Sequence, residues 1–463
     1  MSNLVDAKVE SLSFWHSSYP APCQESPRLD EDLEVDVAIV GAGFTGLWTA
    51  YYLKTLDPSL SICLLEANFP GFGASGRNGG WAVGEMAGMG VRLSDENLRE
   101  SAIRLQYAMF ETVDEMARVI EKEAIDCHWA KGGQINLATT PAHEGKLRAE
   151  VQHWASLGFG EEDFRWLDPG EAEQLVRPRR NHGALFSPHC AAIHPLRLVA
   201  GLAATLEGLG VSIYSNTPVQ SIQAGRVRTP EANVKAGLVV GATEAYTDSL
   251  AGRKREMLPY HSLMIATEPI PAALWEEIGL DERQTFGDPR RTVIYGQRTL
   301  DGRMAFGARG GYRFGSGIRT RFSRDEPIFE GVRHSLDDIF PALAGVGTAQ
   351  VWGGALGIPR NWMPSVGIDR KAAFAWAGGY VGEGVAASNL AGRTLADLIL
   401  KRESPLVDLA WVGPHFTPWE PEPLRWLGVK AFDFLGEKLD LREFAGKRVP
   451  RLLDGLYDRI VNK

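Results

Sequence analysis

A glycine-rich turn between a strand and a helix restricts the fold of this chain more than any other sequence feature. In "VAIVGAGFTGLWTAYYL" the glycines Gly41, Gly43 and Gly46 have a Gly-x-Gly-x-x-Gly spacing. The run "VDVAIV" is typical of a buried strand, "TGLWTAYYLKTL" has the apolar spacing of a helix, and "SICLLE" predicts a second buried strand. Strand, helix and strand within about thirty residues form a βαβ unit of a parallel sheet.

The three glycines and the acid that follows them predict a dinucleotide site. Gly41 allows the tight turn, Gly43 lets a pyrophosphate approach the backbone, and Gly46 lets the helix lie close to the strand. The phosphates would rest at the helix N-terminus, where the helix dipole favours anions. Glu66 follows Gly46 by 20 residues, and its carboxylate would accept hydrogen bonds from a ribose diol. An acid at this position disfavours a 2′-phosphate, so FAD and NAD are favoured over NADP.

A second glycine-rich stretch decides between FAD and NAD. The stretch "FPGFGASGRNGGW", residues 69–81, has glycine at five of its thirteen positions and begins three residues after Glu66. It therefore leaves the sheet on the ligand side. A nicotinamide cofactor has no evident use for such a loop, whereas a flat flavin ring can lie against bare main chain. The stretch predicts FAD, with a flexible surface loop as the alternative interpretation.

A third segment agrees with this prediction. In "GGYVGEGVAASNLAGRTLADL" the glycines Gly378, Gly379, Gly382 and Gly384 come just before a helix that starts near Val385. The N-terminus of that helix could stabilise negative charge on the N1–C2=O edge of a reduced flavin. An ordinary strand-to-helix turn would not need four glycines.

Composition and charge exclude several classes of function. The 49 basic and 58 acidic residues give a net charge of −9, which argues against a nucleic-acid partner. The cysteines Cys23, Cys63, Cys127 and Cys190 are scattered and form no Cys-x-x-Cys pair, so we expect reduced thiols and a cytoplasmic protein. No signal peptide or integral membrane segment is predicted. Residues 1–34 are rich in proline and acids and are expected to lie on the surface.

The length and the order of the patterns predict two interleaved domains. A chain of 463 residues is too long for one ordinary core. Patterns typical of α/β structure recur near 195–250 and 374–400, and short alternating runs typical of an antiparallel sheet occupy 258–315. We predict an α/β fold with an α+β insertion. Residues 1–105, 186–250 and 356–463 would form a discontinuous Rossmann-like cofactor domain with a C-terminal helical tail, and residues 106–185 and 251–355 would form an antiparallel-sheet substrate domain.

From about Val35 to Leu400 the chain resembles the D-amino-acid oxidase (DAO) superfamily of FAD-dependent oxidoreductases. The resemblance is carried by "VDVAIVGAGFTGLWTAYYL", "LLEA", "GFGASGRNGG" and "GGYVGEGVAASNLAGRTLADLIL", which are most similar to the γ-glutamylputrescine-oxidase-like branch. Glycine oxidase and sarcosine oxidase belong to the same superfamily. The resemblance implies a glutathione-reductase-type FAD domain and main-chain contact between Val219 and adenine.

Taken together, the motifs and the resemblance give a set of expected FAD-contacting residues. They are Gly41, Gly43, Phe44, Thr45, Gly46, Glu66, Ala67, Gly73, Ala74, Ser75, Arg77, Asn78, Gly79, Gly80, Val219, Gly379, Tyr380, Val381, Gly382, Glu383, Gly384 and Val385.

Two departures from the superfamily pattern are informative. Some relatives attach flavin through a histidine in the loop that corresponds to "GASGRNGG", and Arg77 occupies that position here, so non-covalent FAD is expected. Amino-acid oxidases of the superfamily clamp the substrate carboxylate with an arginine in a "W-x-G-x-R-P" segment. In "VWGGALGIPRNWMPSVG" the corresponding residue is Leu356, with Arg360 displaced by one turn or more. This departure shifts the expected substrate from α-amino acids towards amines.

The resemblance implies hydride transfer from a carbon that bears nitrogen to flavin N5, which gives an imine that water hydrolyses to an aldehyde and ammonia or an amine. O2 or another electron acceptor would reoxidise the flavin. No catalytic base is assigned. The candidates for the substrate pocket are Arg77, Tyr260, Arg309, Tyr312, Trp352, Arg360 and Trp362; the aromatic rings could form cation–π walls, and Arg309 could hold an anionic substrate tail. Arg77 could hold a ligand anion or simply donate to a carbonyl.

Two other functions remain open at this stage. One is oxidation of a D- or N-methyl amino acid, with Arg360 or Arg77 replacing the lost clamp. The other is a non-catalytic or RNA-modifying flavoprotein, which the acidic charge disfavours. The group His182, His189, Cys190 and His194 matches no common zinc spacing, so no metal site is predicted.

Overall fold

The first sheet is built around the strand that precedes the glycine turn. In this computed structural model, which describes residues 12–21, 26–413 and 415–461, eight strands form that sheet. They are β1 (Leu33–Val40), β2 (Ile62–Leu65), β8 (Ser212–Tyr214), β9 (Ser221–Gln223), β10 (Arg226–Arg228), β11 (Asn233–Gly241), β17 (Ser365–Asp369) and β18 (Phe374–Gly378). The central order β18-β11-β1-β2-β8 is parallel throughout, while β17, β10 and β9 are added antiparallel. The predicted βαβ unit is therefore present.

Four long helices share one apolar core with this sheet. They are α2 (Phe44–Leu56), α4 (Arg99–Lys122), α7 (Pro195–Gly208) and α10 (Gly384–Leu400). The helix that follows the first glycine turn, α2, and the helix that follows the third glycine segment, α10, lie in close contact. At Gly392 a β-carbon would lie 2.7 Å from the carbonyl carbon of Trp48, so only glycine permits this approach. The packing brings two distant glycine segments to the same edge of the sheet.

The second sheet has its own hydrophobic core. Its strands, in spatial order, are β16 (Thr348–Ile358), β12 (Leu258–Thr267), β15 (Met304–Tyr312), β14 (Ile294–Arg298), β13 (Thr285–Gly287), β4 (Gln134–Leu137), β6 (Ala184–Ser187) and β5 (Arg165–Leu167). All neighbours are antiparallel except β13 and β4. The antiparallel sheet predicted over 258–315 is confirmed. A short ribbon of β3 (Trp81–Val83) and β7 (Cys190–Ala192) lies beside the two sheets.

Eight further α-helices lie within the described residues. They are α1 (Phe14–Ser17), α3 (Met89–Ser94), α5 (Pro141–Ser156), α6 (Pro169–Leu175), α8 (Ala272–Ile278), α9 (Ile328–Ile339), α11 (Leu424–Phe444) and α12 (Arg451–Val461). The tail helices α11 and α12 pack against strands of the second sheet, in one apolar cluster with Tyr260 and Tyr312. The domain limits proposed from the sequence stay a prediction.

The expectation that residues 1–34 lie on the surface is wrong for the start of the described chain. Phe14, Trp15 and His16 are buried, because two aromatic rings in one helical turn find an apolar site against Trp352. Residues 1–11 and 22–25, which include Cys23, lie outside the described residues. Within the part of the chain that the structure describes, no helix is long and apolar enough to cross a membrane.

Candidate functional site

The three glycine segments meet around one cavity of about 860 Å³. The backbone N–H of Phe44, in the first segment, donates to Ser75 Oγ of the second at 2.9 Å. Thr45 Oγ1, also in the first segment, lies 2.9 Å from the phenolic oxygen of Tyr380 in the third. The convergence expected from the sequence is therefore a property of the folded chain.

Close contacts with neighbouring backbone atoms explain why the first segment has glycine at positions 41 and 46. Gly41 has a φ of +105°, and a β-carbon there would lie 2.5 Å from the carbonyl oxygen of Ala242. A β-carbon on Gly46 would lie 2.0 Å from the carbonyl oxygen of Gly41. Real β-carbons do not approach backbone oxygens so closely, so both positions require glycine. The turn can thus present bare backbone to the cavity.

Two helix N-termini point at this cavity. Gly43 caps α2 and Glu383 caps α10, and neither makes a side-chain capping hydrogen bond. The first residues of both helices line the cavity. Because unpaired N–H groups and the helix dipole favour negative charge, the two ends can receive a pyrophosphate and the anionic edge of a reduced flavin.

Glu66 supplies an acceptor at the end of β2. Its Oε2 accepts from the backbone N–H of Ala42 at 2.9 Å, and its Oε1 accepts from the N–H of Asn68 at 3.0 Å. Burial raises the pKa of this carboxyl group, although the backbone donors oppose the effect. Glu66 lines the cavity, where a carboxylate acceptor suits the hydroxyl groups of an adenosine ribose.

Most residues expected to contact FAD line this cavity. They are Gly41, Gly43, Phe44, Thr45, Glu66, Ala67, Gly73, Ala74, Ser75, Arg77, Asn78, Gly79, Val219, Tyr380, Val381, Gly382, Glu383, Gly384 and Val385. Gly46, Gly80 and Gly379 do not line it. Gly46 packs on Gly41, while β-carbons on Gly80 and Gly379 would lie 2.0 Å from Gln297 Nε2 and 2.9 Å from Pro359 Cγ. These three glycines therefore serve packing.

Helix α1 and its cap residue Ser13 hold the loop of the second glycine segment in place by hydrogen bonds. Trp15 Nε1 donates to the carbonyl of Asn78 at 2.8 Å, and Ser13 Oγ donates to the carbonyl of Gly76 at 2.9 Å. A β-carbon on Gly79 would lie 2.6 Å from Cε2 of Tyr295. The loop thus has a defined path, and the alternative of a flexible surface loop is wrong.

Arg77 also supports this loop. Its Nε donates to the carbonyl of Phe72 at 2.7 Å, and its Nη1 donates to the carbonyl of Thr320 at 2.6 Å. Burial lowers the pKa of the guanidinium. The sequence left two roles open for Arg77, which were to hold a ligand anion or to donate to a carbonyl. The structure contains the contact with carbonyl oxygens.

The substrate candidates divide into two groups. Tyr260, Arg309 and Trp362 line the cavity, as does Leu356, the residue expected in place of a carboxylate clamp. Leu356 Cδ2 would lie 3.7 Å from a β-carbon on Gly382, so it faces the third glycine segment.

Tyr312, Trp352 and Arg360 are not among the residues that line the cavity, so their assignment to the pocket is corrected. The hydroxyl of Tyr312 donates to Glu422 of the tail at 2.6 Å. Trp352 is 1% exposed, and its Nε1 donates to the carbonyl of Arg77 at 2.9 Å, so it supports the loop from behind. Arg360 forms an exposed ion pair with Glu420 at 2.8 Å.

Several cavity residues were missed from the sequence. Tyr457 reaches the cavity from α12, and no local pattern distinguishes it from a core aromatic. His261 lines the cavity with its pKa lowered to about 4 by burial. Glu244 has a φ of +46° and accepts from the N–H of Tyr380 at 3.0 Å, and burial raises its pKa to about 7. An acid in the small-residue turn "GATEAY" is the signal that could have identified it.

Two of the histidines considered above as possible metal ligands, His189 and His194, have other partners in the fold. His189 Nε2 lies 2.8 Å from Asp163 Oδ1, and its ring stacks on Phe110 at 3.8 Å. His194 caps α7 by accepting from the N–H of Arg197. Across the described residues no group of three His, Cys, Asp or Glu side chains could hold a metal ion.

Comparisons with known proteins agree with this geometry. The family described as "DAO: FAD dependent oxidoreductase" matches residues 36–398. Probable oxidoreductase OrdL of Haemophilus influenzae is 30% identical over 386 residues, 81% of this chain and 85% of that protein. Gamma-glutamylputrescine oxidoreductase of Escherichia coli is 29% identical over 395 residues, 84% of this chain and 88% of that protein. The crystal structure of glycine oxidase from Geobacillus kaustophilus has a TM-score of 0.66 at 22% identity and covers 80% of this chain and 96% of that one.

Proposed function

The chain belongs to the DAO family of FAD-dependent oxidoreductases, and from this premise we propose that it oxidises the C–N bond of a primary or secondary amine. That the enzyme acts on amines or amino acids follows from the family; the choice of amines is our proposal. The observation that carries it is Leu356, an apolar side chain in the cavity wall at the position where the resemblance expects a carboxylate clamp.

FAD would lie along the cavity with each part opposite a different segment. Glu66 would bind the adenosine ribose, and the N-terminus of α2 would face the pyrophosphate. The loop Gly73–Gly80 and the N-terminus of α10 would border the ring. When bound, FAD supplies the hydride acceptor for the carbon that bears nitrogen.

The protein's own residues would orient the amine and control its surroundings. Tyr260 and Trp362 provide aromatic surface for the amine, and such faces attract cations. The bare loop and Leu356 line the cavity and would limit the access of water to a bound ring. The N-terminus of α10 would stabilise the negative charge that develops at the ring edge. Water would then hydrolyse the imine product to an aldehyde and ammonia or an amine.

The amino-acid alternative has less support. Its two replacement clamps were Arg360, which is paired with Glu420 at the surface, and Arg77, which donates to carbonyl oxygens. The Escherichia coli relative, gamma-glutamylputrescine oxidoreductase, is named for an amine, γ-glutamylputrescine. Both observations favour amines.

An anaerobic substrate panel tests the proposal. The FAD-loaded protein is mixed with polyamines, N-methylated amines, and D- and L-amino acids, and loss of the visible flavin band is recorded. We expect primary or secondary amines to bleach the flavin faster than any α-amino acid. Bleaching by α-amino acids alone would support the first alternative, and bleaching by no compound would support a non-catalytic flavoprotein. Admission of O2 or an artificial acceptor then identifies what reoxidises the flavin.

We further propose that the FAD is held without a covalent bond. The loop that covers the expected ring position contains Arg77 where some relatives have a histidine, and the buried thiols Cys63, Cys127 and Cys190 are not among the described residues that line the cavity. Denaturation followed by ultrafiltration should release all of the flavin into the filtrate. Flavin that stays with the polypeptide would contradict this.

A further inference from the structure

Four arginine side chains border the cavity, and they are Arg77, Arg290, Arg291 and Arg309. Two of them are paired with carboxylates, and a third holds the glycine loop by donating to backbone carbonyls. Arg290 forms an ion pair with Asp288, with Nε 2.7 Å from Oδ1 and Nη2 2.5 Å from Oδ2. Arg77 donates to backbone carbonyls, as described above.

Arg291 attaches the tail to the second sheet. Its guanidinium lies 3.0 Å from Asp440, 3.1 Å from Glu443 and 2.5 Å from Asp454. Three carboxylates around one buried guanidinium leave no positive charge to attract a ligand. Arg291 therefore serves to hold α11 and α12 over the cavity.

Arg309 differs from the other three. Its Nη1 donates to the hydroxyl of Tyr457 at 2.8 Å, and its guanidinium lies 5.4 Å from the ring centre of Phe432. Among the described residues no carboxylate lies within 4.0 Å of it, so no ion pair neutralises it directly. A half-buried guanidinium with N–H groups still open to a cavity is a strong binding group for an anion.

Burial alone would lower the pKa of Arg309, but the neighbouring Tyr457, Tyr260 and Asp433 raise it above its usual value. An arginine guanidinium stays protonated in proteins, so Arg309 carries a positive charge at neutral pH. Asp433 is not a direct partner, because its Oδ1 accepts from the hydroxyl of Tyr260 at 2.7 Å.

The strand register gives the distance between Arg309 and the expected ring position. Arg309 on β15 pairs with Ser262 on β12, and Ser262 pairs with Gly354 on β16. A β-carbon on Gly354 would lie 3.3 Å from Cβ of Arg77 in the glycine loop. Two strand spacings separate Arg309 from Gly354, which is about 10 Å. The backbone of Arg309 thus lies two strands away from the contact with the glycine loop that is expected to border the ring.

We propose that Arg309 and Tyr457 form a subsite for a carboxylate or similar anionic group that the amine substrate carries several bonds away from the oxidised carbon. This inference rests on the proposed amine oxidation and names the class of amine. An α-amino acid does not fit it, because its carboxylate is attached to the oxidised carbon itself. An ω-aminocarboxylate has the required separation.

Tyr457 is a positioning residue of this subsite. Its hydroxyl donates to the carbonyl of Arg291 at 3.0 Å and accepts from Arg309, so its proton is already used. Its ring stacks on Phe432 with centres 4.6 Å apart. The C-terminal helix α12 therefore completes the subsite by fixing the direction of the Arg309 side chain.

The test measures kcat/KM of the FAD-loaded enzyme for an ω-aminocarboxylate and for an alkylamine of equal chain length. The readout is the ratio of the two kcat/KM values. We expect the wild type to favour the aminocarboxylate at least tenfold. Arg309→Met should reduce the ratio to about one, and Arg309→Lys should keep part of it. Tyr457→Phe should lower the ratio by raising KM for the aminocarboxylate, with kcat changed less. Arg298→Met is the control, because Arg298 lies in the same sheet but pairs with Asp281 outside the cavity. It should keep the ratio of the wild type.

Calorimetry gives a second readout that does not need turnover. A straight-chain monocarboxylate without an amine is titrated into the FAD-loaded wild type and Arg309→Met, and binding should weaken at least tenfold in the variant. A wild-type ratio near one, or equal carboxylate affinity in both proteins, would overturn the subsite. Failure of every amine to bleach the flavin would refute the proposed function instead, and the calorimetric result would still decide the subsite.

Discussion

Thr45 Oγ1 and the phenolic oxygen of Tyr380 lie 2.9 Å apart in a buried hydrogen bond, although 335 residues separate them along the chain. The bond joins the first glycine segment to the third across the wall of the cavity. Tyr380→Phe removes it and keeps the ring. We expect the free energy of unfolding to fall by about 1 kcal/mol and the dissociation constant of FAD to rise about fivefold. Chemical denaturation and FAD titration measure the two quantities.

Tyr312→Phe is the matched control for that prediction. The hydroxyl of Tyr312 donates to Glu422 at 2.6 Å, outside the cavity. This variant should lose a similar amount of stability and keep its FAD affinity. Equal FAD affinities in the two variants would mean that the bond between Thr45 and Tyr380 has no role in the site.

Gly46→Ala tests the close packing of helix α2 on the turn. The new methyl group would lie 2.0 Å from the carbonyl oxygen of Gly41, so the backbone of the turn must move. We expect purified protein with little or no FAD and a lower melting temperature. Gly331→Ala is the control, because Gly331 is in helix α9 with open space around it. It should be stabilised by up to about 1 kcal/mol, since alanine is the better helix former.

Glu66→Ala tests the acceptor for the ribose. The substitution removes the partners of two backbone N–H groups and any bond to the ribose hydroxyls. Bonds to a charged acceptor are worth about 1.5–3 kcal/mol, so the FAD dissociation constant should rise tenfold or more. Glu34→Ala, at the exposed start of the neighbouring strand, removes an ion pair with Lys235 and should leave FAD affinity unchanged. A similar loss of affinity in both variants would remove Glu66 from the proposed site.

Glu443 should make the stability of the tail sensitive to acid. Burial opposes its ionisation, but His143 and Lys146 lower its pKa to about 2. A carboxyl group with a depressed pKa in the folded state stabilises the fold above its ordinary pKa of 4.5, and this contribution is lost as the pH falls from 4.5 towards 2. The loss amounts to at most about 3 kcal/mol. Melting temperatures between pH 6 and pH 3 should therefore fall less steeply in Glu443→Gln than in the wild type. The exposed Glu437→Gln should follow the wild type, and equal slopes in all three proteins would contradict the assignment.

The sequence is sufficient for the parts of the site that depend on local backbone geometry. Gly41 and Gly46 are predictable because a strand, a tight turn and a helix lie next to one another in the chain, and their spacing encodes the close contacts. Glu66 follows from the same unit. The convergence of the second and third glycine segments was also predictable, because parallel strands place their carboxyl ends at one edge of the sheet.

The remaining parts of the site depend on long-range packing that no local pattern records. Trp352 and Tyr312 are aromatic residues of the kind that often line pockets, but the strand register places both outside the cavity wall. Trp352 supports the glycine loop from behind, and Tyr312 faces Glu422 of the tail. Trp15 and Tyr457 come from the two ends of the described chain, and each reaches the site only because a core forms around it. Their aromatic side chains alone do not distinguish them from ordinary core residues.

The central claim is that three distant glycine segments form one site for FAD. The most direct measurement is an equilibrium titration of the flavin-free protein with FAD, followed by the fluorescence of the flavin. We predict saturable binding of one FAD per chain and a yellow protein after gel filtration. A protein that stays colourless at saturating FAD would contradict the claim and the amine oxidation that depends on it.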